Sequence, residues 1–165
     1  MKKYILTSII FSLLVLTIVG CGSNNSNEVE ESSKYNKYET IQPNNGKIII
    51  DKNKLSKEAT FINYDSNGTT IQLIAGIASD GTYRVSLNTC QSCNPSPLAY
   101  FVEDNGNLIC QNCGNSFSMD DVGVNAIGCN PTNIEVEEDS NSITIDTKIL
   151  DNYSSMFSNW EGKLK

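Results

Sequence analysis

The chain contains no histidine among its 165 residues, and this absence removes whole classes of chemistry. Without imidazole there is no Ser-His-Asp or Cys-His hydrolase, no C-x-x-C-H haem attachment, no two-His iron-sulfur centre and no His-bearing zinc catalyst. Positive charge is scarce as well: 12 Lys and Arg stand against 19 Asp and Glu, for a formal charge of −7. Nucleic acid is therefore excluded as a partner. Between Arg84 and Lys148 no Lys or Arg occurs, while nine acidic residues fall there, including Glu103, Asp104, Asp120 and Asp121. A reactive cysteine needs neighbouring positive charge to lower its pKa, so this interval weighs against an activated thiol and suits a bound cation. No glycine-rich phosphate loop is present; the GTT at 68–70 and the GTY at 81–83 are turns.

What the chain has instead is cysteine in a patterned stretch: CQSC at 90–93, CQNCG at 110–114 and GCNP at 128–131. The spacing reads C-x2-C-x16-C-x2-C-x15-C, and two C-x2-C pairs at this separation match a four-thiolate metal pattern. The two pairs share a frame, CQSCNPS and CQNCGNS, which predicts two similar turns facing one site. The residue after each second Cys suits a positive φ, supplied by Gly114 and tolerated by Asn94. Backbone N–H groups then turn toward the sulfurs, where they stabilise the negative charge of a four-thiolate site. Cys90, Cys93, Cys110 and Cys113 are thus the first candidate ligands. Cys129, between Gly128 and Asn130-Pro131, is an alternative ligand, a thiol beside the ligands, or a buried free thiol acting as a small hydrophobe.

The N-terminus carries Lys2 and Lys3, then an apolar run of about fifteen residues, shorter than the ~20 that a spanning helix needs. It reads as a signal peptide over 1–20. Ile18-Val19-Gly20-Cys21 resembles a lipobox, so Cys21 is the expected lipidation site and the chain an extracytoplasmic, lipid-anchored protein of the cell membrane. Removing the leader leaves 10 basic against 19 acidic residues, a net charge of −9. With Cys21 acylated, five cysteines remain, and disulfides alone leave one unpaired. Residues 21–46 read as the anchor cysteine and a disordered tether. A flexible coil of about 25 residues reaches roughly 25–30 Å.

From Lys47 the chain turns to short β-type runs: 48–50, 59–64, 70–77, 83–87, 98–102 and 143–145. Asn67-Gly68, Asp80-Gly81 and Asn105-Gly106 lie between them and favour the primed turns of antiparallel hairpins. The expected fold is mainly β: a small antiparallel β domain over 47–150 with two cysteine knuckle-like turns and a short C-terminal helix over 151–165. The hairpin 98–110, turning at Asn105-Gly106, would carry the first cysteine pair's loop back to the second. Leu150, Tyr153, Phe157 and Trp160 recur at intervals of three and four, a stripe that either docks on a membrane partner or caps the sheet.

Residues 81–131, from GTYRVSLNTCQSCNPS to GNSFSMDDVGVNAIGCNP, resemble the FtrD-like family of membrane-associated iron-sulfur proteins. The shared frame is a strand running into C-x2-C, a hydrophobic hairpin, C-x2-C-G-x-x-F and then G-C-N-P. The resemblance implies extracytoplasmic metal or cluster binding at Cys90, Cys93, Cys110, Cys113 and Cys129, with Phe117, Gly128 and Pro131 as framework. It implies a link to iron uptake in some members. The multi-helix membrane portion of some relatives is missing, so a transporter or redox protein in the membrane would have to be a separate partner. Three functions stay open: an anchored iron-sulfur or iron-thiolate protein for electron transfer or iron handling, a structural zinc-ribbon-like module, and a thiol-disulfide oxidoreductase. The last lacks a thioredoxin-like βαβ context.

Overall fold

Three Asn-Gly dipeptides reverse the chain with both residues at positive φ: Asn45-Gly46 (49° and 76°), Asn67-Gly68 (53° and 90°) and Asn105-Gly106 (49° and 77°). These angles are what a two-residue primed turn requires, and they fix the strands on either side. Asp80-Gly81 behaves differently. Only Gly81 lies at positive φ, and the Asp80 carboxylate accepts from the Thr82 backbone and hydroxyl, building a longer loop.

The structure, a computed structural model, describes residues 34–124 and 128–165. The expected signal peptide, Cys21 and the expected tether as far as Ser33 lie outside the described residues. A five-stranded sheet holds β1 (Tyr38–Thr40), β3 (Thr60–Ser66), β4 (Thr69–Ile77), β5 (Tyr83–Cys90) and β9 (Pro131–Thr132), in the order β1-β3-β4-β5-β9. A three-stranded sheet orders β10 (Glu137–Glu138), β11 (Ser142–Asp146) and β2 (Lys47–Asp51). A second three-stranded sheet runs β6 (Phe101–Asp104), β7 (Asn107–Cys110) and β8 (Ser116–Phe117). The described part is therefore mainly β, as the turn dipeptides and alternating runs predict.

The central sheet is covered on both faces. Ile62, Ile71, Leu73, Ala75 and Leu87 pack with Ile48, Ile50, Ile143 and Ile145 in one cluster. Phe61 and Ile74, on the opposite face, join Phe101, Leu108, Met119, Val122, Cys90 and Cys110 in a second. Burial on both faces explains why the residues of β3 and β4 are buried almost throughout rather than at alternate positions. Each fully buried Ile or Leu contributes about 1.5–3 kcal/mol, so these two clusters hold most of the stability.

Three expectations need correction. Residues 34–46 are not tether: Tyr38–Thr40 pairs in parallel with Phe61–Asn63, and the Tyr35 hydroxyl accepts from the Asp51 N–H at 2.9 Å. The aromatic contact of Tyr38 with Phe61, 5.2 Å between ring centres, repays ordering this polar stretch. The strand expected from Leu98 begins at Phe101, because Leu98–Tyr100 closes the cysteine turn through Ala99 N–H to Ser96 C=O at 3.0 Å. The C-terminal helix is also shorter and earlier. It is α1 (Thr147–Asp151), capped by Asp146, followed by a 3-10 turn at Ser154–Phe157, and the last residues are not helical. The stripe does face inward, with Leu150 and Phe157 buried and Tyr153 and Trp160 packed on the first cluster. This is the capping alternative.

Candidate metal centre

Cys90 ends β5 and is wholly buried. The turn after it folds back so that the Cys93 and Asn94 N–H groups donate to the Cys90 carbonyl at 3.3 and 3.0 Å. The nearby Cys93 and Ser92 amides act on the Cys90 sulfur in the direction that lowers its pKa. Cys110 repeats the arrangement at the end of β7. Gly114 N–H donates to the Cys110 carbonyl at 2.8 Å, and the Cys113 and Asn112 amides act on its sulfur in the direction that lowers its pKa. Gly114 takes φ +74°, as the turn demands. Asn94 does not, so the first turn closes without left-handed backbone at that position.

The third segment arrives through the sheet. β9 pairs with β5 so that Pro131 lies opposite Cys90, with a bulge between Leu87 and Cys90. The Thr132 hydroxyl donates to the Thr89 carbonyl at 2.9 Å, and Gln91 N–H donates to the Asn130 carbonyl at 3.0 Å. Gly128 at φ +105° lets the chain turn immediately before Cys129. The sulfurs of Cys90, Cys93, Cys113 and Cys129 consequently all lie within 4.8 Å of one another. Cys110 is outside this set, its sulfur 3.9 Å from that of Cys93. All five thiols are free.

Burial grades across the group. Cys90 and Cys110 are buried, Cys93 and Cys129 half-buried, and Cys113 exposed. Burial, followed by the hydrogen bond with Cys93, raises the Cys90 thiol well above its ordinary range. Burial likewise pushes Cys110 up to about 11, against the opposing pull of the Cys113 and Asn112 amides. Neutral thiols are thus favoured in the metal-free protein, and a bound cation supplies the charge that turns such groups into thiolates. The donor set fits a metal: soft sulfurs only, converging from three segments.

Several positioning side chains carried no sequence signal. Asn88, buried in β5, accepts from Phe101 N–H at 2.7 Å and donates to Gln72 Oε1 at 2.6 Å and to the Phe101 carbonyl at 3.2 Å. The Asn94 amide donates to the Met156 carbonyl at 2.8 Å, tying the first turn to the C-terminal segment. The Ser96 hydroxyl donates to Asn112 Oδ1 at 2.7 Å and links the two cysteine turns directly. Phe117 in β8, which the resemblance did name as framework, sets its ring edge-on to Phe101, with 5.7 Å between centres. A cavity of about 570 Å³ lies apart from these cysteines, lined by Lys34, Lys37, Lys57, Glu58 and Glu103 among others, and contains no thiol.

Among the described residues no helix is long and apolar enough to cross a membrane. No curated protein and no solved structure matches the chain. The family described as membrane iron-sulfur containing protein FtrD-like matches over residues 55–157, a span that takes in all five of these cysteines and the strands from β3 to β11. The chain belongs to the FtrD-like family of membrane iron-sulfur containing proteins.

Proposed function

We propose that this is an extracytoplasmic, lipid-anchored metal-thiolate protein that carries iron, in an iron-sulfur or iron-thiolate centre, and handles iron or passes electrons beside an integral membrane transporter or redox protein. The observation that carries the reading is the convergence of sulfurs from three separate segments in a member of this family. A disulfide exchanger needs positive charge beside its attacking cysteine, and no Lys or Arg occurs between Arg84 and Lys148 to supply it locally in sequence. Acylation of Cys21 supplies the membrane hold. A single chain binds weakly at about 0.8 kcal/mol per buried CH₂, and the several chains of a lipoprotein make attachment durable.

The test is isolation of the full chain from membranes without oxygen, followed by metal analysis, visible absorption and mass spectrometry of the mature N-terminus. Iron with visible absorption and a diacylated Cys21 is the expected result. A colourless protein containing only zinc would assign the site to a structural module. An unmodified N-terminal peptide beginning elsewhere would remove the anchor.

A further inference from the structure

We infer that the centre takes one metal ion on Cys90, Cys93, Cys113 and Cys129, with no inorganic sulfide, and that Cys110 is a fifth thiol outside the coordination sphere. This deepens the metal-thiolate reading and rests on it.

Size is the first argument. Four sulfurs at about 2.3 Å from one tetrahedral ion stand about 3.8 Å apart, and here every pair of the four lies within 4.8 Å. In a cluster of two or four irons, some of the four thiolates sit on different irons across bridging sulfides, which forces those sulfurs well beyond one ion's coordination shell. The segments carrying these cysteines have little freedom to spread. Cys90 is held by β5 pairing and by its N–H to Ala99 C=O at 2.9 Å, Cys129 precedes the β9 pairing, and Ser96 to Asn112 ties the two turns together. A cluster therefore does not fit this arrangement, whereas one ion does.

Topology is the second argument. Spacing alone selects both C-x2-C pairs, which would include Cys110 and leave Cys129 aside. The β5–β9 pairing reverses that choice by setting Pro131 opposite Cys90, and so brings the preceding Cys129 into the group. Cys110 ends β7 opposite Phe101 and packs in the second cluster as a small apolar side chain. Its sulfur neighbours those of Cys93, at 3.9 Å, and Cys113 but falls outside the set whose members all lie within 4.8 Å of one another, and Cys113 three residues later supplies the member from that turn.

The experiment uses the full chain loaded anaerobically with Fe(II), with Zn(II), or with Fe(II) plus sulfide. It measures metal per chain, acid-labile sulfide and, after Co(II) substitution, the thiolate charge-transfer intensity. One ion per chain, sulfide absent even when offered, and an unchanged cobalt spectrum in Cys110→Ala are expected. Cys129→Ala should weaken metal retention at least about tenfold and lower the charge-transfer intensity. If Cys110→Ala fails to fold, the near-isosteric Cys110→Ser takes its place. Sulfide bound in proportion to iron would overturn the single-ion centre. Metal lost from the Cys110 variants and kept in Cys129→Ala would overturn the ligand set. A wild-type chain that takes up no metal at all would overturn the metal reading itself, an outcome distinct from the other two because each of those requires bound metal.

Discussion

Asn88 and Ser86 stand two residues apart on β5, both buried, and their substitutions should diverge sharply. The Asn88 side chain makes three hydrogen bonds, to Phe101 N–H, to the Phe101 carbonyl and to Gln72 Oε1, all among groups no more than 1% exposed. Asn88→Ala removes all three and orphans their partners where water cannot replace them. Each lost bond is worth about 1 kcal/mol net, and each buried group left unpaired adds about 1–3 kcal/mol unless it relaxes toward solvent. Allowing for such relaxation, the substitution should cost about 3–5 kcal/mol, a large share of the ~5–15 kcal/mol available to a domain. The Tm should fall by the order of 10–20 °C. Ser86 Oγ, by contrast, has no hydrogen-bond partner among the described residues. Ser86→Ala removes a desolvated hydroxyl and breaks no bond, so it should be neutral or stabilising by up to about 1 kcal/mol. Urea unfolding of both variants in the metal-free state is the assay. Equal effects, or a loss below about 1 kcal/mol in Asn88→Ala, would refute the view that this amide joins the strand before Cys90 to the β6–β7 hairpin.

Gly114→Ala meets no atom within 4 Å but must hold φ +74°, so its cost should be purely conformational, about 1–2 kcal/mol, with Gly114→Asn milder; thermal melts of both check the order. Trp160→Phe keeps the ring contacts with Tyr100 and Phe157 but loses the indole N–H bond to the Asn88 carbonyl at 2.9 Å, and should cost about 1 kcal/mol in urea unfolding. In the metal-free chain Cys110, at about 11, and Cys90, also raised, bind their protons more tightly folded than unfolded. Their stabilising contribution is therefore complete below about pH 8.5 and is lost as pH rises through Cys110's value of about 11; urea midpoints at pH 8 and pH 10.5 should differ in that direction. Metal binding must release protons from such thiols, so apparent affinity should rise with pH in competition titrations against a chelator of known pH dependence.

The strands were legible where local rules governed them. Asn67-Gly68 and Asn105-Gly106 named their hairpins, and Ile143–Ile145 showed the alternation of a strand buried on one face. The ordering of Tyr35–Thr40 was not legible, because it depends on Phe61 and Asp51, which the chain reaches only after folding. The stripe Leu150–Trp160 identified the side chains that turn inward but not their backbone. Spacings of three and four suit a 3-10 turn as well as an α-helix. The final residues leave the helix because buried amides need acceptors: Gln72 Nε2 donates to the Lys163 carbonyl at 2.7 Å and Asn63 Nδ2 to the Leu164 carbonyl at 3.0 Å. The two cysteine turns announced themselves through C-x2-C. The place of Cys129 could not be read that way, since it follows from strand pairing across more than forty residues and from a bulge with no sequence mark.

The burial gradient across the thiols bears on how such a centre exchanges its ion. Cys90 lies in the core, Cys93 and Cys129 at its margin and Cys113 in solvent, so among the described residues Cys113 presents the most open sulfur of the group. The inner sulfurs are the costly ones to ionise without metal, because burial holds the Cys90 thiol neutral. A centre whose thiols were all exposed would present thiolates more readily but leave them open to oxidation. One whose thiols were all buried would hold its ion without exchange. The observed arrangement combines a protected inner ligand with an outer sulfur that meets solvent, and this combination suits a protein that must accept or pass on a metal more than one that needs the metal only to hold two hairpins together.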